Sequence, residues 1–152
     1  MAITAELIGR VFGPTAPTVL TQDSLVAFAA AVGVTDPVCL DAEAAAGAGF
    51  RGVVAAPTYP IVLTLDGAAE LSRDPEIALD FSHVVHGDQR FEYHQPLCAG
   101  DSITVLTTVE DVKSLAGNTV VTVRGDVRIA DAQLACSAWT TLVVRPVSGS
   151  GS

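Results

Sequence analysis

Apolar and polar positions change period once along this chain. Between residues 21 and 72 the apolar residues recur at helical spacing; from Phe91 onward they alternate as in strands. Thr21 can cap a helix that runs to Gly33, with Leu25, Val26, Phe28, Ala29 and Val32 on one face. Asp41 can cap a second, short helix that ends near Gly47. Pro57 or Thr58 opens a third, predicted over residues 57–72, with Pro60 tolerated in its first turn. Ile61, Val62, Leu63 and Leu65 make it apolar nearly all round, which predicts burial on most sides. Gly67 weakens this helix, and close packing against another backbone is the reason to keep a glycine there.

In the second half, "RFEYH" alternates Phe91 and Tyr93 with Arg90, Glu92 and His94. "SITVLTTVEDV", "NTVVTVRGDVRI" and "LACSAWTTLVV" are long β-rich runs, joined by turns at Ala116-Gly117-Asn118 and Asp131-Ala132. Long strands with short connections predict an α+β fold: a curved antiparallel sheet wrapped round one long central helix.

Composition narrows the class. The chain has 152 residues, 49% of them apolar and 16% charged, which predicts one folded domain over residues 1–146. The "SGSGS" end makes 147–152 a flexible tail or linker. No apolar run is long enough for a membrane span, which needs about eighteen residues. "MAITAELIGRVFG" lacks the basic start and apolar core of a signal peptide. Cys39, Cys98 and Cys136 are too few and too scattered for a disulfide framework or zinc site, so a cytoplasmic protein with reduced thiols is expected. The net charge is -9 with eight Lys plus Arg, which excludes nucleic acid as an expected partner. It also makes the chain alone a poor electrostatic host for anionic carriers such as coenzyme A.

Four motifs, in order, carry a resemblance. "AVGVTDPVCLDAEAA" resembles the overhanging segment that bears the active site of R-specific enoyl hydratases. "VVAAPTYPIVL" resembles the start of the central helix in MaoC-like proteins, and "VVHGDQRFEYHQP" the His-Gly-Glu-Gln segment of their non-catalytic halves. "QPLCAGD", residues 95–101, resembles the Pro-x-x-x-Gly-Asp turn of hotdog dehydratases. Together they span most of residues 5–146. The chain thus resembles the MaoC-like hotdog dehydratases, and within them the non-catalytic subunits of mycobacterial (3R)-hydroxyacyl-ACP dehydratases. That likeness implies a single hotdog fold.

Dehydrating a 3-hydroxyacyl thioester requires a positioned acid–base pair and a donor aimed at the developing enolate oxygen. Catalytic members of the family carry an Asp and a His in a segment resembling Gly-Asp-x-Asn-Pro-x-His. If Asp36-Pro37 takes the Asn-Pro place, those two positions fall on Val34 and Cys39. Val34 cannot titrate, and a buried thiol is a poor substitute for imidazole. The glycine amide that holds the thioester oxygen falls at or beside Pro57, which has no N–H. The likeness therefore implies no catalytic residue in this chain. It implies substrate contacts at Thr58, Tyr59, Ile61, Val62, Leu65, His86, Gly87 and Gln89. The partner implied is a catalytic hotdog subunit that supplies Asp and His, acting on acyl-ACP or acyl-CoA in fatty-acid or polyketide metabolism.

Two other readings stay open: a homodimeric binder of acyl thioesters, and a hotdog thioesterase that uses Asp66 or Asp41. Asp41 is most simply a helix cap, and Asp66 falls on a solvent or partner face. His83, His86 and His94 lack metal-ligand spacing, so neither metal nor cofactor is expected. Trp139 and Phe81 read as core or interface residues.

Overall fold

A computed structural model describes residues 3–77, 79–130 and 132–146; the tail at 147–152 and the Asp131 half of one expected turn lie outside the described residues. Four long strands dominate: β3 Val84–Tyr93, β4 Ser102–Leu115, β5 Asn118–Ile129 and β6 Gln133–Val144. With the short β1 (Val11–Phe12) and β2 (Thr18–Val19), they form one antiparallel sheet. The order is β1-β4-β5-β6-β3, with β2 also on β4. The β4–β5 hairpin turns through Ala116 and Gly117, both at positive φ (50° and 80°), the geometry of a two-residue turn that follows the strand twist. Register shifts at His86/Asp88, Val109/Asp111 and Val127/Arg128 mark bulges, which raise local twist and help the sheet curve.

Three α-helices complete the chain among the described residues: α1 Gln22–Ala31, α2 Ala42–Gly47 and α3 Pro60–Arg73. Helix α3 lies on β4, β5 and β6, so this is the hotdog fold, a long helix held by a curved antiparallel sheet.

Helix α3 differs from the sequence expectation in two ways. It starts at Pro60 and not at residue 57. Residues 57–59 form a tight turn, with Tyr59 N–H donating to the Ala56 carbonyl and Ile61 N–H to the Thr58 carbonyl. Pro60 has no N–H to extend the ladder backward. The helix is also not enclosed all round. Its inward face is Pro60, Thr64, Gly67, Ala68 and Leu71, whereas Val62 and Leu65 are 41% and 43% exposed and Ile61 is half-buried. One sheet covers one side of a helix, and the small residues at helical spacing take that side because they allow close approach. A Cβ on Gly67 would overlap Thr107 Oγ1, and one on Gly125 of β5 would lie 2.6 Å from Thr64 Cγ2. Gly67 is therefore fixed by close packing, against the Thr107 side chain.

The expected faces hold elsewhere with one exception. Leu25 and Ala29 of α1 are buried and Val26 and Phe28 half-buried, but Val32 lies just past the last turn and is 51% exposed. Trp139 sits half-buried on the outer sheet face, and Phe81 is exposed beside β3.

Candidate functional site

The segment between α1 and α3 projects from the sheet and is pinned by its own polar side chains. Thr21 Oγ1 accepts from Ser24 N–H (3.2 Å), starting α1. Asp36 Oδ1 accepts from Val38 N–H (3.1 Å), setting the 3-10 turn Pro37–Cys39. Asp41 Oδ1 accepts from Ala44 N–H (2.8 Å), starting α2. Asp41 is therefore occupied as a helix cap. Val54 then returns along this segment, its N–H donating to the Val38 carbonyl (2.9 Å).

This framework encloses an apolar cluster. Cys39 is 5% exposed and buried with Ala29 and Ala56, while Phe28, Val34, Val38 and Val54 pack round them. Burial, and then the Asp36 carboxylate, push the Cys39 thiol above its ordinary value. Neither Val34 nor Cys39 offers a group that exchanges protons near neutral pH.

The chain entering α3 is held from the far side by an edge residue. Tyr93, near the end of β3, donates its hydroxyl to the Pro57 carbonyl (2.8 Å). Burial of the hydroxyl, with the Cys136 and Cys39 thiols nearby, pushes its phenol well above the usual range. Where the likeness places an oxyanion donor, this chain presents a proline whose carbonyl is already bonded. An open groove of about 360 Å³ runs beside it, lined by Val54, Ala55, Pro57, Tyr93, His94 and Leu97 among others. Its wall is mostly apolar, with a phenol and an imidazole at the rim, which suits an acyl or other apolar chain with a polar end.

Behind the groove is a brace. Arg51 bonds Asp101 through Nε to Oδ1 (2.9 Å) and Nη2 to Oδ2 (2.6 Å), and Nη2 also reaches the Pro96 carbonyl (3.0 Å). Asp101 Oδ2 accepts from Cys98 N–H as well (2.8 Å). The Pro-x-x-x-Gly-Asp turn thereby becomes a rigid support, with Gly100 at φ +95° and Asp101 only 7% exposed. Its Asp101 bond holds the Arg51 guanidinium above its usual pKa.

The other expected site residues fall into two groups. At the helix entry, Thr58 is exposed, and Tyr59 is 5% exposed, edge-on to Phe28 (5.2 Å between centroids) with its hydroxyl 3.2 Å from Ser24 Oγ. At the sheet edge, His86 and Gly87 are exposed at the β3 bulge, the imidazole bonded to the Asp88 carbonyl (3.0 Å). Gln89 Oε1 accepts from Thr140 Oγ1 (2.9 Å), and its Nε2 is buried with no partner among the described residues. Ile61, Val62 and Leu65 line neither group's bonds and face outward from α3. Asp66 is exposed. His83 lies near Asp80 (3.9 Å) and His94 near Glu92 (3.7 Å), so the three histidines face separate neighbours. Among the described residues, no three His, Cys, Asp or Glu are grouped as metal ligands, and no helix is long and apolar enough to cross a membrane.

Sequence reasoning missed Tyr93, His94 and Arg51. The alternation of "RFEYH" places Tyr93 on the same side as Phe91, but its reach to Pro57 requires the register Tyr93↔Cys136, a long-range pairing.

Known proteins match this architecture. The family described as "FAS1-like, dehydratase domain region" matches residues 6–133. A UPF0336 protein of Streptomyces griseus is 46% identical over 145 residues, 95% of this chain and 97% of that protein. A chain of the C-terminally truncated HadBC (3R-hydroxyacyl-ACP dehydratase) complex from Mycobacterium tuberculosis superposes with a TM-score of 0.80 at 25% identity, covering 92% of this chain and 99% of that one. The ChsH1-ChsH2 complex of the same organism matches in fold, with a TM-score of 0.65 at 21% identity over 91% of this chain and 92% of that one.

Proposed function

The chain belongs to the FAS1-like dehydratase-region family, and from that premise we propose that it is the non-catalytic, substrate-binding subunit of a heteromeric (3R)-hydroxyacyl-thioester dehydratase or enoyl hydratase. The observation that carries this reading is the apolar cluster round Cys39. The fold keeps the overhanging segment, its three caps and the Arg51–Asp101 brace, yet fills the acid–base positions with Val34 and a buried thiol. Pro57, which has no N–H to offer a developing oxyanion, supports it further.

In this reading a catalytic hotdog partner supplies Asp and His, and this chain supplies part of the acyl-binding surface. The groove beside Pro57 and Tyr93, with Thr58 at its entry and Tyr59 as its rigid backing, takes one portion of the substrate. Ile61, Val62 and Leu65 line the acyl path where the partner covers α3. The exposed His86-Gly87 bulge faces the shared seam, and Gln89, bonded to Thr140, backs it from within. The likeness to a chain of a 3R-hydroxyacyl-ACP dehydratase complex favours an acyl-ACP or acyl-CoA substrate in fatty-acid or polyketide metabolism.

The test is co-expression with a hotdog chain from the same genome that carries an intact Asp-x-Asn-Pro-x-His segment. Enoyl-thioester hydration is measured with the chains separate and mixed. Activity toward long substrates that needs both chains is the expected result. A partner equally active and stable alone, unchanged on mixing, overturns the proposal in favour of a homodimeric binder.

A further inference from the structure

A groove on the outer face of the sheet arises from a mismatch in chain length. Along the edge of β4, Phe12 pairs with Thr107 and Thr18 with Ile103. The edge chain takes six residue steps where β4 takes four, and the surplus arches outward over residues 13–17. Gly13, at φ +95°, makes the close turn; a Cβ there would lie 2.9 Å from the Val105 carbonyl oxygen. Thr15 then holds the arch down, its N–H donating to the Val105 carbonyl (2.9 Å) and its Oγ1 accepting from Val105 N–H (3.0 Å). Val105 and Thr107 meet Gly67 of α3, so Thr104 and Leu106 between them face away from the helix. The groove between arch and sheet has a volume of about 330 Å³ and is lined by Pro14, Thr15, Pro17, Thr104, Leu106 and Arg128. It shares no lining residue with the groove beside Pro57.

Its chemistry is one-sided. The lining holds one cation and no carboxylate. Arg128 is half-buried, and among the described residues no Asp or Glu oxygen lies within 4.0 Å of it. Asp126, on the same strand face, is engaged elsewhere: it accepts from Ser137 Oγ (2.7 Å) and lies against Arg124 Nε (3.3 Å). In the same chain Arg10, Arg51, Arg73, Lys113 and Arg124 are all ion-paired. Arg128 thus keeps its planar fork of N–H donors for an anion from outside. Thr15 Oγ1 spends only a lone pair on Val105 and keeps its O–H to donate. Thr104, 5% exposed, adds a second hydroxyl with no partner among the described residues. Pro14, Pro17 and Leu106 supply an apolar wall, and the prolines fix its backbone.

We propose that this groove binds a small organic monocarboxylate with a compact apolar body. The Arg128 guanidinium takes the carboxylate through two parallel N–H bonds, with the Thr15 and Thr104 hydroxyls beside it. The apolar body rests on Pro14, Pro17 and Leu106. Charge decides against a phosphate monoester, which carries about −1.5 to −2 at neutral pH. One guanidinium neutralises one charge, and the chain around it carries a net charge of -9. The site lies within one chain and needs no partner, so it stands independently of the heteromeric reading.

The experiment titrates the whole chain with benzoate at neutral pH and follows backbone amide resonances. Benzyl alcohol and inorganic phosphate serve as the uncharged probe and the probe without an apolar body. Benzoate should bind saturably, with a dissociation constant on the order of 1 mM for so small a ligand. The largest shifts should fall at Thr15, Thr104 and Arg128. Benzyl alcohol and phosphate should each bind at least about ten-fold more weakly, one lacking the charge-assisted bonds and the other the apolar contact. Arg128→Gln should weaken benzoate about ten-fold or more, with circular dichroism unchanged. If that variant does not fold, Arg128→Lys, which keeps the charge and loses the fork, should weaken it about three-fold. No saturation by about 20 mM benzoate, shifts centred on Ala55, Tyr93 and Leu97, or a folded Arg128→Gln chain with wild-type affinity overturns the proposal. Benzyl alcohol or phosphate binding as tightly as benzoate overturns it equally.

Discussion

The two sides of α3 are built to different standards. Inward, Thr64, Gly67, Ala68 and Leu71 meet β4 and β5 so closely that neither Gly67 nor Gly125 has room for a methyl group. Outward, Val62, Leu65 and Asp66 are exposed. The inner side makes the domain fold; the outer side is left open, as is the β3 edge, which pairs only with β6 among the described residues. A domain finished on one side and open on the other is what the proposed subunit role requires, since large apolar residues on an open helix face suit a contact surface.

That contrast gives a graded set of expectations. The largest effect belongs to the inward face. Gly67→Val forces branched carbons into Thr107 and should cost about 3 kcal/mol, read as a fall in denaturant midpoint at unchanged m-value. Asp101→Ala removes the brace, leaving Arg51 and the Cys98 N–H without their acceptor; about 2 kcal/mol is expected, since Arg51 is partly solvated. Tyr93→Phe frees the Pro57 carbonyl at the helix entry, where the two sides meet, and should cost about 1 kcal/mol. Val62→Ser with Leu65→Ser should stay within about 0.5 kcal/mol each in the isolated chain while weakening capture by the proposed catalytic partner. A large stability loss from the outward pair would erase the contrast.

How much of this was legible beforehand follows from range. Caps are local: Thr21 and Asp41 were readable because a cap needs only the residues that follow it. The strand β5 matched its predicted bounds, because "NTVVTVRGDVRI" sits between clear turn signals. The orientation of α3 was not readable. Its apolar residues surround the axis, so periodicity could not say that the smallest ones face the sheet. The free edge was not readable either. The uncharged run Ile103–Val109 resembles a bare edge in sequence, yet it is interior, between β5 on one side and β1 and β2 on the other, while the true edge β3 carries Asp88, Arg90 and Glu92. Strand order is a long-range property. At the site, Val34 and Cys39 were legible as departures from a motif, while Tyr93 and Arg51 act through contacts 36 and 50 residues away in sequence.

A small effect, lost only in alkaline solution, separates the buried cluster from the exposed surface. Burial raises the Cys39 and Cys98 thiols above their ordinary value of 9.0 and pushes Cys136 up to about 11. The folded chain then holds protons that the unfolded chain releases. Stability from this source is complete below pH 9 and declines as pH rises from 9 through about 11. Alkylation of Cys39 should accordingly be slow at pH 8 in the folded chain and fast in denaturant.

The account turns on whether this chain alone can perform the chemistry, and hydration of a crotonyl or longer enoyl thioester by the purified chain measures it directly. Loss of the acid–base pair removes about 10² to 10⁴ in rate, and loss of an oxyanion donor about 10² to 10³ more. No turnover above background is the predicted result. Robust turnover by the lone chain, abolished in Cys39→Ala, would contradict it.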